Sequence, residues 1–301
     1  PIGPRRDPWR LRRGPSSGSR YREPAGPAAP TMTAPSTPST RLVAEPLGHI
    51  EPLDGIRAVA VIGVLLYHSR YGWMEGGFLG VSVFFTLSGF LITSLLLREW
   101  AEHSRIDLRA FWARRFRRLL PASLAVLAIV VAMGMAGVWD TEQLRSLRGD
   151  VPWSVAELVN WHFIVSGTSY GNEYAQASPL EHYWSLAIEE QFYLVLPLLL
   201  TALLVLGRRR PPRIRLAAAA AVLGLVAVVS AVANGWLSQT SVDRAYFGTD
   251  TRAAELLVGS LLAFATLRRL RLPEGRARTA AQGLAVAGLV IVLRGLWGKV
   301  P

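Results

Sequence analysis

Cysteine is absent from this 301-residue chain, and histidine occurs only five times. Without cysteine the chain can form no disulfide, no thiol nucleophile and no thiolate metal site. The histidines are scattered without HxxxH or HExxH spacing, so we predict that the chain binds no metal. These absences leave hydroxyl, carboxylate, imidazole and guanidinium groups to carry any chemistry.

Long uncharged apolar stretches are abundant instead. Half of the residues are hydrophobic, and the mean hydropathy is +0.28. Residues 76–97, 119–139 and 216–242 contain no charged side chain. A helix of about 20 apolar residues crosses the hydrocarbon core of a bilayer with all its backbone groups paired. The sequence therefore predicts an all-α, polytopic transmembrane helix bundle whose first partner is the lipid bilayer.

The chain divides into a disordered tail, residues 1–48, which is rich in Pro, Ser, Arg and Gly, and a membrane domain, residues 49–301. Seven spans are predicted, at residues 54–72, 76–97, 119–139, 184–206, 216–238, 252–267 and 279–297.

Charge is distributed unevenly between the connecting loops. The loops 98–118, 208–215 and 268–278 are rich in arginine, whereas the alternate loops carry more acidic than basic residues. The positive-inside rule places the arginine-rich loops and the N-terminus in the cytoplasm. The net charge of +12 thus reflects orientation signals beside the spans, and we predict no nucleic-acid partner.

Residues 151–167 are apolar enough for an eighth span but contain Glu157 and His162. A full crossing would place the arginines of 208–215 outside, against the charge rule. We therefore predict an interfacial or re-entrant segment.

Arg57 and His68 lie 11 residues apart in the first predicted span. That spacing puts both on one helical face, separated by ~16 Å along the axis. Ionisable side chains inside a membrane usually face a cavity or a pathway. The alternatives are an arginine that reaches the interface and a histidine that bonds between helices.

A second basic cluster, Arg114, Arg115, Arg117 and Arg118, precedes the third predicted span, and Pro121 fits the first turn of that span. Guanidinium groups match phosphate oxygens in geometry and charge. The cluster can therefore bind a phosphorylated ligand, or it can simply anchor the helix on lipid phosphates.

Glu189 and Glu190 stand near the outer end of the next span, with His182 before them. A carboxylate beside an imidazole can act as a base and its orienting partner. Either carboxylate could instead pair with an intramembrane arginine and only hold helices together. Pro197 should kink this helix and free one backbone carbonyl.

Asp250 and Arg252 mark the outer start of the sixth predicted span. A local ion pair or a helix N-cap would explain both without any functional role.

Together these stretches closely resemble the acyltransferase-3 family of integral membrane acyltransferases. The resemblance covers about residues 50–265. Its motifs, in the order of the family, are LDGIR with the Arg57–His68 pair, GGFLGVSVFFTLSGFLI (76–92), RRxxRxxP at Arg114, Arg115, Arg118 and Pro121, HYWSLAIEEQFY (182–193) and DTRAAELLVGSLLA (250–263).

The resemblance implies an enzyme that takes an acyl group, acetyl by default, from cytoplasmic acyl-CoA. The acceptor is a hydroxyl group of a carbohydrate on the extracytoplasmic side. Acyl-CoA is a co-substrate, and no tightly bound cofactor is expected. Family members carry about ten spans and this chain about seven, so we expect the domain to be incomplete at its C-terminus. The expected location is the cell membrane.

The resemblance also implies roles for particular residues. His68 is the predicted base, or the group that transiently carries the acyl, and Glu189 or Glu190 orients its ring. Arg57 holds the inner end of the donor, and Arg114, Arg115 and Arg118 bind its phosphates. The predicted pocket residues are Asp54, Ser88, His182, Trp184, Ser185, Tyr193, Asp250 and Arg252. The alternative functions are a transporter or flippase and a non-catalytic membrane scaffold.

Overall fold

The computed structural model describes residues 51–69, 75–169 and 177–267. The predicted tail at 1–48, the last residues of the first span and the predicted seventh span at 279–297 lie outside the described residues. Within them every regular element is helical, which confirms the all-α class. The helices are α1 Glu51–His68, α2 Leu79–His103, α3 Leu108–Met135, α4 Thr141–Val155, α5 Val159–Ser166, α6 Tyr183–Leu206, α7 Pro212–Leu237, α8 Val242–Phe247 and α9 Thr249–Leu267, with a short 3-10 turn at Glu75–Phe78.

Four of the described helices are long and apolar enough to cross a membrane. They are Gly76–His103 (α2 with its preceding turn), α3, α6 and α7. Helices α1 and α9 occupy the first and sixth predicted spans, but each carries three charged residues. The predicted number of seven spans is therefore not confirmed. The membrane-protein class is supported by the four apolar helices, of which α2 is the most enclosed and α3 the most exposed.

The segment 151–167 folds as the end of α4, a sharp turn and α5. Glu157 lies in the turn with a φ of 55°, a left-handed conformation that is uncommon for residues with a side chain. Helix α4 has 15 residues and α5 has 8, which give lengths of only ~22 Å and ~12 Å. Neither helix alone is long enough to cross a bilayer, which agrees with the prediction of an interfacial or re-entrant segment.

Helices α2 and α9 pack in close backbone contact in the centre of the bundle. A Cβ atom added at Gly89 would collide with the carbonyl oxygen of Leu256, and one at Gly259 would collide with that of Thr86. Small residues permit this approach, as they do in many membrane helix pairs. The approach brings the polar side chains of α2 and α9 within reach of each other.

Helix α3 begins earlier than predicted. Asp107 caps it by accepting a hydrogen bond from the backbone N–H of Ala110 at 3.0 Å, and the arginine cluster already lies on the helix. The prediction that Pro121 occupies the first turn is wrong, because it lies inside a 28-residue helix. The cap at Asp107 and the helix-forming residues after it extend α3 upstream of the apolar stretch.

Candidate active site

Ser88, Glu189 and Tyr193 form a buried group of hydrogen-bonded side chains between α2 and α6, here called the polar core. The hydroxyl of Ser88 donates to Oε1 of Glu189 at 2.6 Å. The hydroxyl of Tyr193 lies 2.9 Å from Oγ of Ser88 and 3.2 Å from Oε2 of Glu189. Oε1 of Glu189 thus has a donor, and the single proton of Tyr193 is shared between Oγ of Ser88 and Oε2 of Glu189. These donors offset part of the cost of burying the carboxyl group.

Two arginines supply positive charge to the polar core. The guanidinium carbon of Arg115, on α3, lies 3.7 Å from the centre of the Tyr193 ring. Arg115 and Arg57, on α1, both attract the carboxylate of Glu189. Both arginines thus act on Glu189 through their charge, and pairing of either glutamate with an intramembrane arginine stays an alternative to a catalytic role.

The helix that carries Glu189 contains Pro197, which has no N–H to donate to the carbonyl of Tyr193. The indole N–H of Trp112, on α3, donates to that carbonyl at 3.1 Å. The predicted free carbonyl is confirmed, and it is used to attach α3 to α6 beside Arg115.

A cavity of about 590 Å³ opens between the end of α2 and the start of α3. Its volume falls in the range of small-molecule sites. We call it the arginine pocket. Its lining consists of Arg98, Arg114, Arg115, Arg118, Glu99, Glu102, His103, Ile92, Leu95 and Phe111. The structure thus brings together the three arginines predicted to bind phosphate, and Arg115 also contacts the polar core.

His68 is the last residue of α1, and its ring lies against the ring of His182 with centroids 4.4 Å apart. Its Nδ1 is 2.8 Å from the carbonyl oxygen of Val64. Only an N–H can bond to a carbonyl, so the neutral ring carries its proton on Nδ1 and its lone pair on Nε2. Burial, and then the charge of His68, lower the pKa of His182. His182 is therefore harder to protonate than an ordinary imidazole.

The predicted contact between a carboxylate and the ring of His68 stays a prediction. The hydrogen bonds of Glu189 go to Ser88 and Tyr193. Oε1 of Glu190 is buried and has no hydrogen-bond partner among the described residues. Arg115 attracts the carboxylate of Glu190.

Arg57 and Asp54 lie near each other on α1, with Nη1 and Oδ1 4.0 Å apart. Ser185, on the first turn of α6, donates its hydroxyl to the carbonyl of His182 at 3.3 Å. Neither contact tests the predicted pocket roles of Asp54 and Ser185.

The local ion pair offered as a structural explanation of Asp250 and Arg252 is found, but the two residues do not pair with each other. Asp250 accepts two hydrogen bonds from Arg244, at 2.9 and 2.7 Å. Arg252 pairs with Glu255 at 3.1 Å, and Glu255 also accepts from Ser82 on α2. Glu255 lies one turn after Arg252 on α9, so their side chains lie on the same face of the helix. Asp250 pairs with Arg244 on α8 instead.

Arg252 also lies among three aromatic rings. Its guanidinium carbon is 5.7 Å from the centres of Phe85 and Trp184 and 5.5 Å from that of Tyr246. Cation–π attraction of this kind orients an arginine in a partly buried place. Trp184 and Arg252, two predicted pocket residues, are therefore neighbours.

Two polar residues of the site went unassigned in the sequence prediction. The amide of Gln191 bonds to Trp161, Asn160 and Thr249 and to the carbonyl of Glu157, so it joins α5, α6 and α9. In the sequence, Gln191 is recognisable only as a polar side chain inside an apolar stretch. That pattern does not predict its hydrogen-bond partners.

Glu157, the second of these, lies in the turn between α4 and α5 and approaches the hydroxyl of Ser123 at 3.5 Å. Burial, and then the negative charge of Glu190, raise the pKa of Glu157 to about 7. In the sequence, Glu157 is recognisable as a charged residue inside an apolar stretch. That pattern bears on whether the segment crosses the membrane, but it does not predict that Glu157 lies near Glu190.

Glu157→Gln should stabilise the protein above pH 7. The folded state binds the proton of Glu157 more tightly than the unfolded state does, so wild-type stability falls as the pH rises from about 4.5 through about 7. After a discount for solvent screening, the variant should gain about 1–2 kcal/mol at pH 8 and little below pH 5. Thermal unfolding of the detergent-solubilised chain across this pH range measures the difference. The exposed Glu142→Gln in α4 is the control, and an equal gain there would contradict the explanation.

The profile of the acyltransferase domain family matches residues 50–300. The chain is similar to the peptidoglycan O-acetyltransferase OatA of Listeria monocytogenes, with 43% identity over 221 residues, or 72% of this chain and 34% of that protein. It is also similar to the O-acetyltransferase OatA of Staphylococcus aureus, with 41% identity over 216 residues, or 72% and 34% of the two chains. The chain thus spans about a third of the length of these relatives. No solved structure matches it.

Proposed function

Because this chain belongs to the acyltransferase-3 family, we propose that it acts in a membrane O-acyltransferase that uses cytoplasmic acyl-CoA as donor. The acceptor is a hydroxyl group of a carbohydrate on the outer side of the membrane. The names of the relatives favour acetyl as the acyl group and peptidoglycan as the acceptor. The protein then lies in the cell membrane as a multi-pass protein with its N-terminus in the cytoplasm.

The observation that carries the proposal is the position of Arg115. Its side chain lines the arginine pocket, and its guanidinium lies over the ring of Tyr193 in the polar core. A donor whose phosphates bind the pocket would therefore have its acyl arm directed towards Glu189. The pantetheine arm is slender and nearly neutral, so it can pass between helices more easily than the charged nucleotide.

The reaction joins the acceptor oxygen to the acyl carbon and breaks the carbon–sulfur bond of the thioester. In the simplest form, Nε2 of His68 takes the proton from the acceptor hydroxyl as that oxygen attacks. The proton then passes to the leaving thiolate, and free CoA returns to the cytoplasm. In the other form, His68 first accepts the acyl group itself and then passes it to the hydroxyl.

The positions of the polar groups suit a reaction that crosses the membrane. Arg57 lies seven residues into α1 and His68 at its last residue, ~16 Å apart along the helix, a distance comparable with the reach of the donor arm. Arg57 would hold the inner part of the donor, and His68 would meet an acceptor that enters from outside.

Vesicles that contain the chain and are loaded with acetyl-CoA test this function. With a peptidoglycan fragment outside, an acyltransferase releases free thiol inside and forms an acetyl ester on the fragment. A transporter would leave the thioester intact, and a scaffold would change neither compound. Loss of thioester without ester on the fragment would reject the proposed acceptor.

Arg118→Gln should raise the KM for acyl-CoA about tenfold and leave the KM for the acceptor within about twofold. A charge-assisted hydrogen bond to phosphate contributes about 1.4 kcal/mol or more, which corresponds to that factor. Steady-state kinetics with each substrate varied in turn provide the two constants.

The matched control for this variant is Arg117→Gln. Arg117 is exposed on the same helix, does not line the cavity, and bonds through Nε to the carbonyl of Ala113. An equal change in donor KM for both variants would mean that the cluster acts only through its total charge.

A further inference from the structure

A carboxylate lies inside the pocket that the phosphates of the donor would enter. Oε2 of Glu99, on α2, lies 3.7 Å from Nη2 of Arg114, and both residues line the arginine pocket. Its other oxygen, Oε1, accepts a hydrogen bond from the backbone N–H of Asp107 at 2.7 Å. Glu99 therefore holds the start of α3 with one oxygen and faces Arg114 with the other.

A carboxylate and a phosphate oxygen compete for the same guanidinium donors, because both are anionic acceptors of similar geometry. The side chain of Glu99 is 21% exposed, whereas that of Arg114 is 59% exposed, so Glu99 is the more buried partner. A phosphate that binds Arg114 must either displace this carboxylate or tolerate its charge nearby.

We propose that Glu99 determines how strongly the arginine pocket retains its nucleotide, by competing with a donor phosphate for Arg114. The inference rests on the proposed function, since it concerns the same phosphate contacts. Four arginines line the pocket, and CoA keeps all its phosphates after the acyl group has left. Tight binding of these phosphates would hold donor and product alike and would slow release of the product. Glu99 limits that retention.

Glu99→Gln removes the charge that competes for Arg114 but keeps an acceptor for the backbone N–H of Asp107. The amide oxygen of glutamine can still accept the hydrogen bond from the backbone N–H of Asp107, so the contact between α2 and the start of α3 is preserved. The Arg114 side chain is largely exposed, and exposed ion pairs contribute little to stability. The variant should therefore fold with an unchanged melting temperature.

The experiment measures the Kd of CoA for the chain in lipid nanodiscs by calorimetry. Glu99→Gln should bind CoA about two- to fivefold more tightly than wild type, the factor that corresponds to a solvent-exposed ion pair. The gain should shrink at high salt, because screening weakens the competing charge. Unchanged or weaker binding would overturn the role of Glu99.

Glu102→Gln is the matched comparison. Glu102 lines the same cavity one turn further along α2, and its carboxylate lies 4.0 Å from His103. It should give a clearly smaller gain than Glu99→Gln. Equal gains would mean that total charge alone matters and would reject competition at Arg114. A wild-type chain that binds no CoA would instead reject the proposed function itself.

Discussion

Replacing His68 with alanine should abolish acyl transfer while the Kd of CoA stays within about twofold of wild type. A positioned acid or base typically contributes a factor of about 10²–10⁴, and His68 has the imidazole that the proposed reaction needs, at the C-terminal end of α1. Its Nδ1 faces the carbonyl of Val64, which orients the ring and leaves the lone pair on Nε2. We measure ester formation on a peptidoglycan fragment and CoA binding in the same preparation.

Ser69→Ala is the control for this variant. Ser69 follows His68 directly, is exposed, and bonds through its hydroxyl to the carbonyl of Leu65 at 2.8 Å. It should keep full activity. Ester formation by His68→Ala above about a tenth of the wild-type rate would reject His68 as base and as acyl carrier.

The pH profile of the wild-type reaction provides a second check on the base. An imidazole base must be neutral, so the rate should fall on the acid side of neutrality. Burial, and then the charge of His68, lower the pKa of His182, so this ring takes up its proton at a lower pH than an ordinary imidazole does. A flat profile between about pH 5 and 8 would contradict an imidazole base.

Helix positions could be predicted from the sequence because they depend on local composition. Apolar stretches without charge predicted α2, α7 and the apolar part of α3. The charges of the loops predicted that residues 151–167 are interfacial or re-entrant. The start of α3 was misplaced, since the cap at Asp107 lies upstream of the apolar residues. The composition of a segment and the residues beside it can be read from the sequence alone, so they predict where a helix lies.

Partners of polar side chains could not be predicted in the same way. Ser88 and Glu189 are 101 residues apart, and Ser82 and Glu255 are 173 apart. Their contacts depend on how the helices pack, which no local pattern specifies. Even the nearby Asp250 took a partner on α8 rather than Arg252 on its own helix. The sequence therefore predicted which residues are polar inside the bundle but not which of them meet.

The two adjacent glutamates should differ strongly in their response to substitution by glutamine. Glu189→Gln should lower the turnover number by about 100-fold, because it leaves a buried hydroxyl donor without its acceptor, at a cost of about 1–3 kcal/mol. It also removes the negative charge that attracts Arg57 and Arg115. Glutamine also presents an NH₂ where Glu189 has an acceptor for Ser88 or Tyr193.

Glu190→Gln should lower turnover less than tenfold, because Oε1 of Glu190 has no hydrogen-bond partner among the described residues and its charge opposes that of Glu157. Kinetics on both variants at saturating donor, with melting temperatures to exclude unfolded protein, provide the comparison. Glu189→Asp should recover part of the activity if the charge is what matters, since aspartate restores it at a shorter reach. A larger loss for Glu190→Gln than for Glu189→Gln would transfer the orienting role to Glu190 and remove the polar core from the mechanism.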